Sequence, residues 1–258
     1  MSEPLLDVRD LGVDFRGVRV LGEVSFEIRA GETLGLVGES GSGKSTLARA
    51  LLRLIPASRG QIFWCGIDLL RCDAATLRSL RRDLQIVFQD PVASLNPRMT
   101  VGDTLAEPLR IFEPRIAPSE RRMRIARMLE RVGLEESMLG RYPHELSGGQ
   151  CQRIGIARAM MLHPKLLICD EPTSSLDVSI QGQIVNLLID LQRELGTAML
   201  FISHNLAVVR HISHRVAVIH EGSLIESAMC DVLFAAPVHP HTRALLAAVL
   251  DPIGRWPA

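Results

Sequence analysis

Apolar residues recur along this chain with two different periods, and the change of period marks its parts. Between residues 5 and 30, Leu6, Val8, Leu11, Val13 and Phe15, then Val20, Val24, Phe26 and Ile28, alternate with polar positions, punctuated by Gly12, Gly17 and Gly22. A period of two predicts short antiparallel strands with one buried face. Residues 60–67 (GQIFWCGI) read as a further antiparallel strand with Trp64 on one face. Apolar runs at 33–37 (TLGLV) and 83–88 (DLQIVF) read instead as apolar strands, and those at 165–169 (KLLIC) and 198–202 (AMLFI) as buried strands. Residues 215–219 and 224–225 flank a turn at Glu221 and Gly222. Helical periodicity governs 45–54, 73–82, 119–132, the stretch from Ser147 through 151–162 (CQRIGIARAMML), and 178–195. In 119–132, Ile125, Met128, Leu129 and Val132 share one face, and arginines occupy a solvated remainder. With prolines at 91, 97, 108, 114 and 118, the segment 91–143 reads as a helical insertion between two parts of a strand-rich core. The tail 237–252 includes a short helix, and His239 and His241 read as turn residues, too few for a metal site.

The stretch 38–46 reads GESGSGKST. Glycines let successive backbone N–H groups turn inward without a Cβ clash. Gly38, Gly41 and Gly43 supply that freedom, with Glu39, Ser40 and Ser42 between them and Lys44, Ser45 and Thr46 following, at the spacing G-x-x-x-x-G-K-[ST]. Lys44 would reach the β- and γ-phosphates of a nucleotide, and the Ser45 hydroxyl would ligate Mg²⁺. An apolar strand before the loop and a good helix former after it would place phosphate at a positive helix N-terminus. The alternative, a Gly/Ser-rich turn that binds nothing, leaves that coincidence of loop and flanks unexplained.

Three polar residues lie at the exits of apolar strands: Gln89, Asp170 and His204. In a parallel sheet such exits converge on the ligand crevice. Asp170 and Glu171 are adjacent carboxylates, costly at a strand end unless a cation sits there. Bound Mg²⁺ would supply it, with Asp170 holding the ion and Glu171 facing the attacking water as general base. Read alone, Gln89 is as well explained by a turn and His204 by a structural role; an acidic turn is the alternative for the carboxylate pair, and the complete phosphate loop beside it speaks against that. Residues 146–150 (LSGGQ) open a helix with Ser147 as N-cap and Gly148 and Gly149 leaving its N-terminus bare, which suits an anion but is first of all a capped helix start.

Composition narrows the field. The 258 residues carry 29 acidic and 29 basic side chains, so no global field favours nucleic acid or anionic lipid. Aromatics at 4% argue against a base-stacking platform. Cys65, Cys72, Cys151, Cys169 and Cys230 are scattered, which fits a reducing compartment better than a disulfide framework. The start carries acids and a proline rather than a signal-peptide pattern, and no apolar run has bilayer length, so any membrane role is expected to come through a partner.

The ordered set GESGSGKS, Gln89, LSGGQ, LLICDE, SSLD and His204 resembles the nucleotide-binding subunit of ABC (ATP-binding cassette) transporters over nearly the whole chain. The strings FQDPVASLNPRMTV and HPHTRALLAAVLDP are similar to the oligopeptide, dipeptide and nickel importer branch. The resemblance implies an α/β P-loop NTPase: a RecA-like parallel core sheet, an N-terminal antiparallel β subdomain and an inserted α-helical subdomain. It would form a single ABC ATPase domain, with 1–90 and 159–225 as catalytic core, 91–158 as helical subdomain with the signature, and 226–258 as a C-terminal extension.

It also implies roles. Phe15 would stack on adenine, residues 38–46 would bind the phosphates, and Ser45, Gln89 and Asp170 would serve Mg²⁺. Glu171 would activate water and His204 would contact the γ-phosphate. Ser147, Gly148, Gly149 and Gln150 would complete the site of an opposite cassette, with Asp177 of the SSLD stretch also at the nucleotide. The implied cofactors are ATP and Mg²⁺. The implied partners are a second cassette, more often a different chain in the peptide branch, two transmembrane permeases, and indirectly a periplasmic or extracellular substrate-binding protein, with no nucleic acid. The implied location is peripheral, on the cytoplasmic face of the cell membrane.

Departures from the family pattern touch no residue the chemistry requires. Ser175 stands where the D-loop usually has alanine, Cys151 where a longer polar residue is common, Cys169 in an aliphatic slot, and Asn205 where aspartate is frequent. No cysteine cluster follows, so no iron–sulfur centre is expected. The reading is an ATPase subunit of an importer, for oligopeptides or dipeptides; a nickel or other small-solute importer shares every motif. A soluble ABC ATPase of translation or DNA repair would bring a second cassette, heptads or zinc cysteines, which the sequence lacks.

Overall fold

The computed structural model describes residues 3–248. In chain order the elements are β1 (Leu6–Phe15), β2 (Val18–Ile28), β3 (Thr33–Val37), α1 (Lys44–Leu51), β4 (Arg59–Trp64), β5 (Ile67–Asp68), α2 (Ala74–Leu80) and β6 (Leu84–Val87). There follow α3 (Val101–Phe112), α4 (Pro118–Arg131), α5 (Gly148–Met160), β7 (Leu166–Asp170), α6 (Val178–Leu195), β8 (Ala198–Ile202) and α7 (Leu206–Ile212). The last are β9 (Arg215–His220), β10 (Ser223–Met229), α8 (Cys230–Ala235) and α9 (Pro240–Ala247). Contacts divide the chain into two compact units, one formed by the chain up to Leu77 and from Ala198 onward, the other by Arg78–Thr197.

In the first unit an antiparallel sheet runs in the order β2-β1-β4-β5. Its turns have a common chemistry. β1 and β2 are joined by Arg16 and Gly17, β4 and β5 by Cys65 and Gly66, and in each two-residue loop both φ angles are positive. That is the turn whose twist matches a hairpin, and glycine in its second position removes half the strain. The strand expected over 60–67 is therefore broken: the chain reverses at Cys65 and Gly66, and Ile67 pairs back onto Trp64. The buried positions of β1 slip phase between Val8 and Leu11, where the register shifts. Asp10, at φ 48°, absorbs the extra residue, and its N–H is taken by Ser25 Oγ at 2.8 Å.

The other strands of this unit are β3 flanked in parallel by β8 and β9, with β10 antiparallel on β9. Every residue of β3 and β8 is buried, which explains why their sequences do not alternate. The His214 ring accepts the Thr33 N–H through Nδ1 at 2.9 Å and fixes the entry to β3. β9 turns into β10 through Glu221 and Gly222, again both at positive φ.

The second unit contains the parallel pair β6 and β7, with Leu84 to Val87 registered against Leu166 to Cys169, and the helices α3 to α6. Thr100 caps α3 by accepting the Asp103 N–H. Gly196, at φ 64°, ends α6 at the residue where the apolar period stops. In α4 the buried Ile125, Met128 and Leu129 form the inward stripe read from the sequence. Its remaining face is less solvated than expected. Arg124 pairs with Glu113 after α3 and, within α4 itself, with Glu120, while Arg131 pairs with Glu194 of α6; the Glu113 and Glu194 pairs fasten α4 to its neighbours.

Candidate functional site

In the first unit, β3 delivers the chain into the glycine loop while Val37 is still paired with Val218 of β9. A side chain at Gly38 would collide with the Ile219 carbonyl oxygen, so only glycine lets the loop leave the sheet there. Gly41 (φ 80°) and Gly43 (φ 102°) take backbone conformations that L side chains resist, and Gly43 is the N-cap of α1. They set the start of α1 directly after the loop, and the N–H groups of a helix's first turn suit an anion. Lys44 is 5% exposed, and its Nζ donates to the carbonyls of Gly38 at 2.9 Å and Glu39 at 2.7 Å. An ammonium buried without partners would cost several kcal/mol, roughly. Here loop carbonyls hold it inside the curve of the loop. Ser45 and Thr46 are half-buried, and Glu39, Ser40 and Gly41 face solvent.

The residue types fit a polyphosphate and its cation: backbone donors in a curve, one buried cation, one helix start and a hydroxyl at Ser45. His204 lies two residues past β8, after the buried Ser203, and is exposed, while Asn205 caps α7, accepting the N–H groups of Ala207 and Val208. The residue that replaces a common aspartate thus keeps the capping oxygen and drops only the charge. Phe15 ends β1 with 44% of its surface exposed, an open aromatic face at the hairpin tip.

The second unit brings Gln89, Asp170, Glu171 and Ser175 together. Asp170 closes β7 and is 2% exposed. Glu171 follows it in the left-handed region at φ 47°, a conformation of order 1–3 kcal/mol above the extended one for a non-glycine residue. Ser174 holds it there, donating through both N–H and Oγ to the Glu171 carbonyl. Glu171 Oε2 accepts from Gln89 Nε2 at 3.3 Å, and Ser175 Oγ donates to the Gln89 carbonyl at 3.4 Å. The Gln89 amide thus touches the carboxylate expected to act as base. Cys169, fully buried beside Asp170, has its thiol pushed far up by burial first and by the carboxylate second, so it stays a neutral apolar filler.

Ser147 and Gln150 form a reciprocal cap on α5. Ser147 Oγ accepts the Gln150 N–H at 3.2 Å, and Gln150 Oε1 accepts the Ser147 N–H at 2.9 Å. The helix start is less bare than expected, because a Cβ on Gly149 would lie 3.0 Å from Ile180 of α6, whereas one on the exposed Gly148 would meet only Leu176, at an ordinary 3.6 Å. Asp177 occupies the N-cap position of α6 with no side-chain cap bond, leaving its carboxylate turned outward and exposed.

Residues 21–174 match the ABC transporter family, more than half of the chain. The chain belongs to the ABC transporter family. Against known members, this cassette is 50% identical to the oligopeptide transport ATP-binding protein OppF of Salmonella typhimurium, over 96% of the cassette and 78% of OppF. It is 52% identical to the glutathione import ATP-binding protein GsiA of Escherichia coli, over 96% of the cassette and 41% of GsiA. Among solved structures the cassette is similar to cbiO1 of Clostridium perfringens, part of the transporter complex cbiONQ. The TM-score is 0.81 at 29% identity, covering 91% of the cassette and 92% of cbiO1. It is also similar to the dimeric cassette MJ0796 in a post-hydrolysis state with ADP and Pi, with TM-score 0.78 at 30% identity, covering 87% and 98%. The α/β P-loop fold expected from the motifs is therefore the fold of the cassette.

Sequence reasoning missed two features of this region. Nothing marks Glu171 as left-handed, because the signal is the hydrogen bonding of Ser174. No spacing marks His220, and His241 lies in α9 rather than in a turn, its N–H bound by the helix-capping His239 Nδ1. The two rings meet only through the fold. The tail beyond residue 248, including the end of the expected C-terminal helix, lies outside the described residues.

Proposed function

We propose that this cassette hydrolyses ATP to energise an importer for oligopeptides or dipeptides. The observation that carries the reading is 50% identity to an oligopeptide transport ATP-binding protein across 96% of the chain. In this reading the domain is divided as the motifs suggest, with 1–90 and 159–225 as core, 91–158 as helical subdomain and 226–258 as extension.

The assigned chemistry starts at the loop. Backbone N–H groups of 38–46 and the Lys44 ammonium hold the β- and γ-phosphates. Ser45, Gln89 and Asp170 serve Mg²⁺, which when bound would neutralise phosphate charge. Glu171 takes a proton from water, its carboxylate oriented by the Gln89 amide and its backbone fixed by Ser174. His204 donates to the γ-phosphate, and Phe15 lies against adenine. Ser147, Gly148, Gly149 and Gln150 face the nucleotide of a second cassette, and Asp177 also lies at the nucleotide. Glu171 and the capped signature thus serve different nucleotides, so turnover requires two cassettes.

The proposed assembly is a cassette pair, of different chains in the peptide branch, with two permeases and, indirectly, a substrate-binding protein, on the cytoplasmic face of the membrane. Among the described residues no helix is long and apolar enough to cross a membrane. The 52% identity to a glutathione import protein favours a second reading, in which the cargo is that small peptide. The test is capture of the chain from its own cells in gentle detergent. Co-purifying multispanning permeases and a second cassette, with ATPase stimulated by peptide-loaded binding protein, are the expected result. Ribosomal or DNA-repair partners would sink the transport reading, and stimulation by glutathione alone would select the second.

A further inference from the structure

The Glu39 carboxylate, the His220 imidazole and the His241 imidazole come together beside the glycine loop. One ligand atom from each lies within 4.8 Å of the others. We propose that these residues form a binding site for a borderline divalent cation of the Zn²⁺ type, separate from the Mg²⁺ of ATP.

The three come from separate elements, each anchored by backbone. Glu39 sits in the loop, where its carbonyl accepts from Lys44. His220 ends β9, and the turn that follows is tied to the same loop by the Gly222 N–H donating to the Ser42 carbonyl at 3.1 Å. His241 stands in the first turn of α9, whose start is clamped by Glu226 accepting the N–H groups of Val238 and His239 at 2.8 and 2.9 Å. The imidazoles stack with centroids 3.6 Å apart, and His241 Nε2 lies 3.8 Å from Glu39 Oε1. At tetrahedral Zn–N and Zn–O lengths near 2.0–2.1 Å, ligand atoms sit roughly 3.3 Å apart. Closing the difference also requires the two stacked rings to turn apart, because imidazoles on one tetrahedral ion diverge from it.

The second observation is His241 Nε2 itself. That atom has no solvent-exposed surface and makes no hydrogen bond. A shielded ring nitrogen costs free energy unless something meets it, and here it faces the other two ligands. The donor set chooses the ion. Two imidazoles and one carboxylate suit Zn²⁺, Co²⁺ or Ni²⁺, whereas Mg²⁺ keeps to oxygen. Glu39 is largely exposed, so ions enter from its side and water completes the shell. A bound ion would join the glycine loop, the end of β9 and α9, adding a brace to the phosphate-binding region.

The test uses the full chain, stripped with chelator and free of nucleotide. Titration with Co²⁺ is expected to give visible d–d bands of a low-symmetry site, saturating near one equivalent, displaced by Zn²⁺ and unmoved by excess Mg²⁺. The His220→Asn, His241→Asn double variant is expected to lose that equivalent. Zn²⁺ is also expected to raise the thermal midpoint of the unsubstituted chain. X-ray absorption of the Zn²⁺-loaded, unsubstituted chain needs no variant to fold, and is expected to show imidazole and oxygen scattering only. Absence of saturable binding, sulfur in the shell, or an equivalent retained by the folded double variant would each overturn the site. None of these readouts depends on transport or turnover.

Discussion

Substituting Gly43 by alanine tests why the loop is built as it is. At φ 102°, an L residue bears strain of about 1–2 kcal/mol. The new Cβ would also lie 2.6 Å from Leu21 Cδ2 and 3.1 Å from the Val20 carbonyl oxygen. Leu21 is fully buried, so it cannot swing into solvent. Overpacking of this kind costs about 1–3 kcal/mol, and the sum is about 2–5 kcal/mol. Gly41→Ala isolates the first term: its φ is 80°, but no atom lies within 4 Å of the added carbon. At about 2–4 °C per kcal/mol for a chain of this size, Gly43→Ala should lower the thermal midpoint by about 4–20 °C and Gly41→Ala by about 2–8 °C. Calorimetry without nucleotide measures both. Adding Leu21→Ala removes the collision, so the double variant should be more stable than the sum of its parts by about 1–3 kcal/mol. A Gly43→Ala protein no less stable than Gly41→Ala, with additive behaviour in the cycle, would refute the claim that Leu21 enforces this glycine.

Glu171→Gln keeps the side-chain shape but removes the base. Turnover should fall about 100- to 10,000-fold while ATP affinity is retained, and near-normal turnover in a phosphate-release assay would end the role given to Glu171. Lys44→Ala removes the cation of the loop and should weaken nucleotide binding itself, measured by titration calorimetry; unchanged affinity would contradict the phosphate-loop assignment. Ser147→Ala breaks one side of the α5 cap and should cost about 1 kcal/mol of stability, read as a shift in urea midpoint at constant slope. Among the cysteines, Cys65 is exposed while Cys151 and Cys169 are buried with thiols pushed up by burial. Mass-resolved alkylation should label Cys65 first and the other two only on unfolding.

Much of this molecule is readable from local pattern. The bounds of α6 follow from Asp177 before an apolar period and Gly196 after it, and the buried strands follow from runs without alternation. The glycine loop is legible because its spacing encodes a backbone shape that few other sequences need. What sequence hides is chirality of the backbone at single non-glycine residues and meetings across long separations. The reversal at Cys65 looks like the middle of a strand, since Trp64 and Ile67 are both apolar and only Gly66 hints at a turn. Asp10 absorbs a phase slip that reads as noise in the alternation. Glu171 needs Ser174 to hold its conformation, and His220 meets His241 only because the turn after β9 and the start of α9 lie against the same loop.

In the assembly proposed above, the reciprocal bond between Ser147 and Gln150 has a consequence for how two cassettes would meet. A signature segment left loose would have to be ordered at every encounter, and immobilising even a few rotamer-rich side chains takes about 0.5–1.5 kcal/mol each from the binding free energy. Here the ordering is done within one chain, by bonds that need no second molecule. In the proposed cassette pair, that face is therefore ordered before a second cassette arrives. Pre-formed surfaces of this sort suit a machine that must close and open many times: association carries little entropic penalty, and separation leaves no segment to refold.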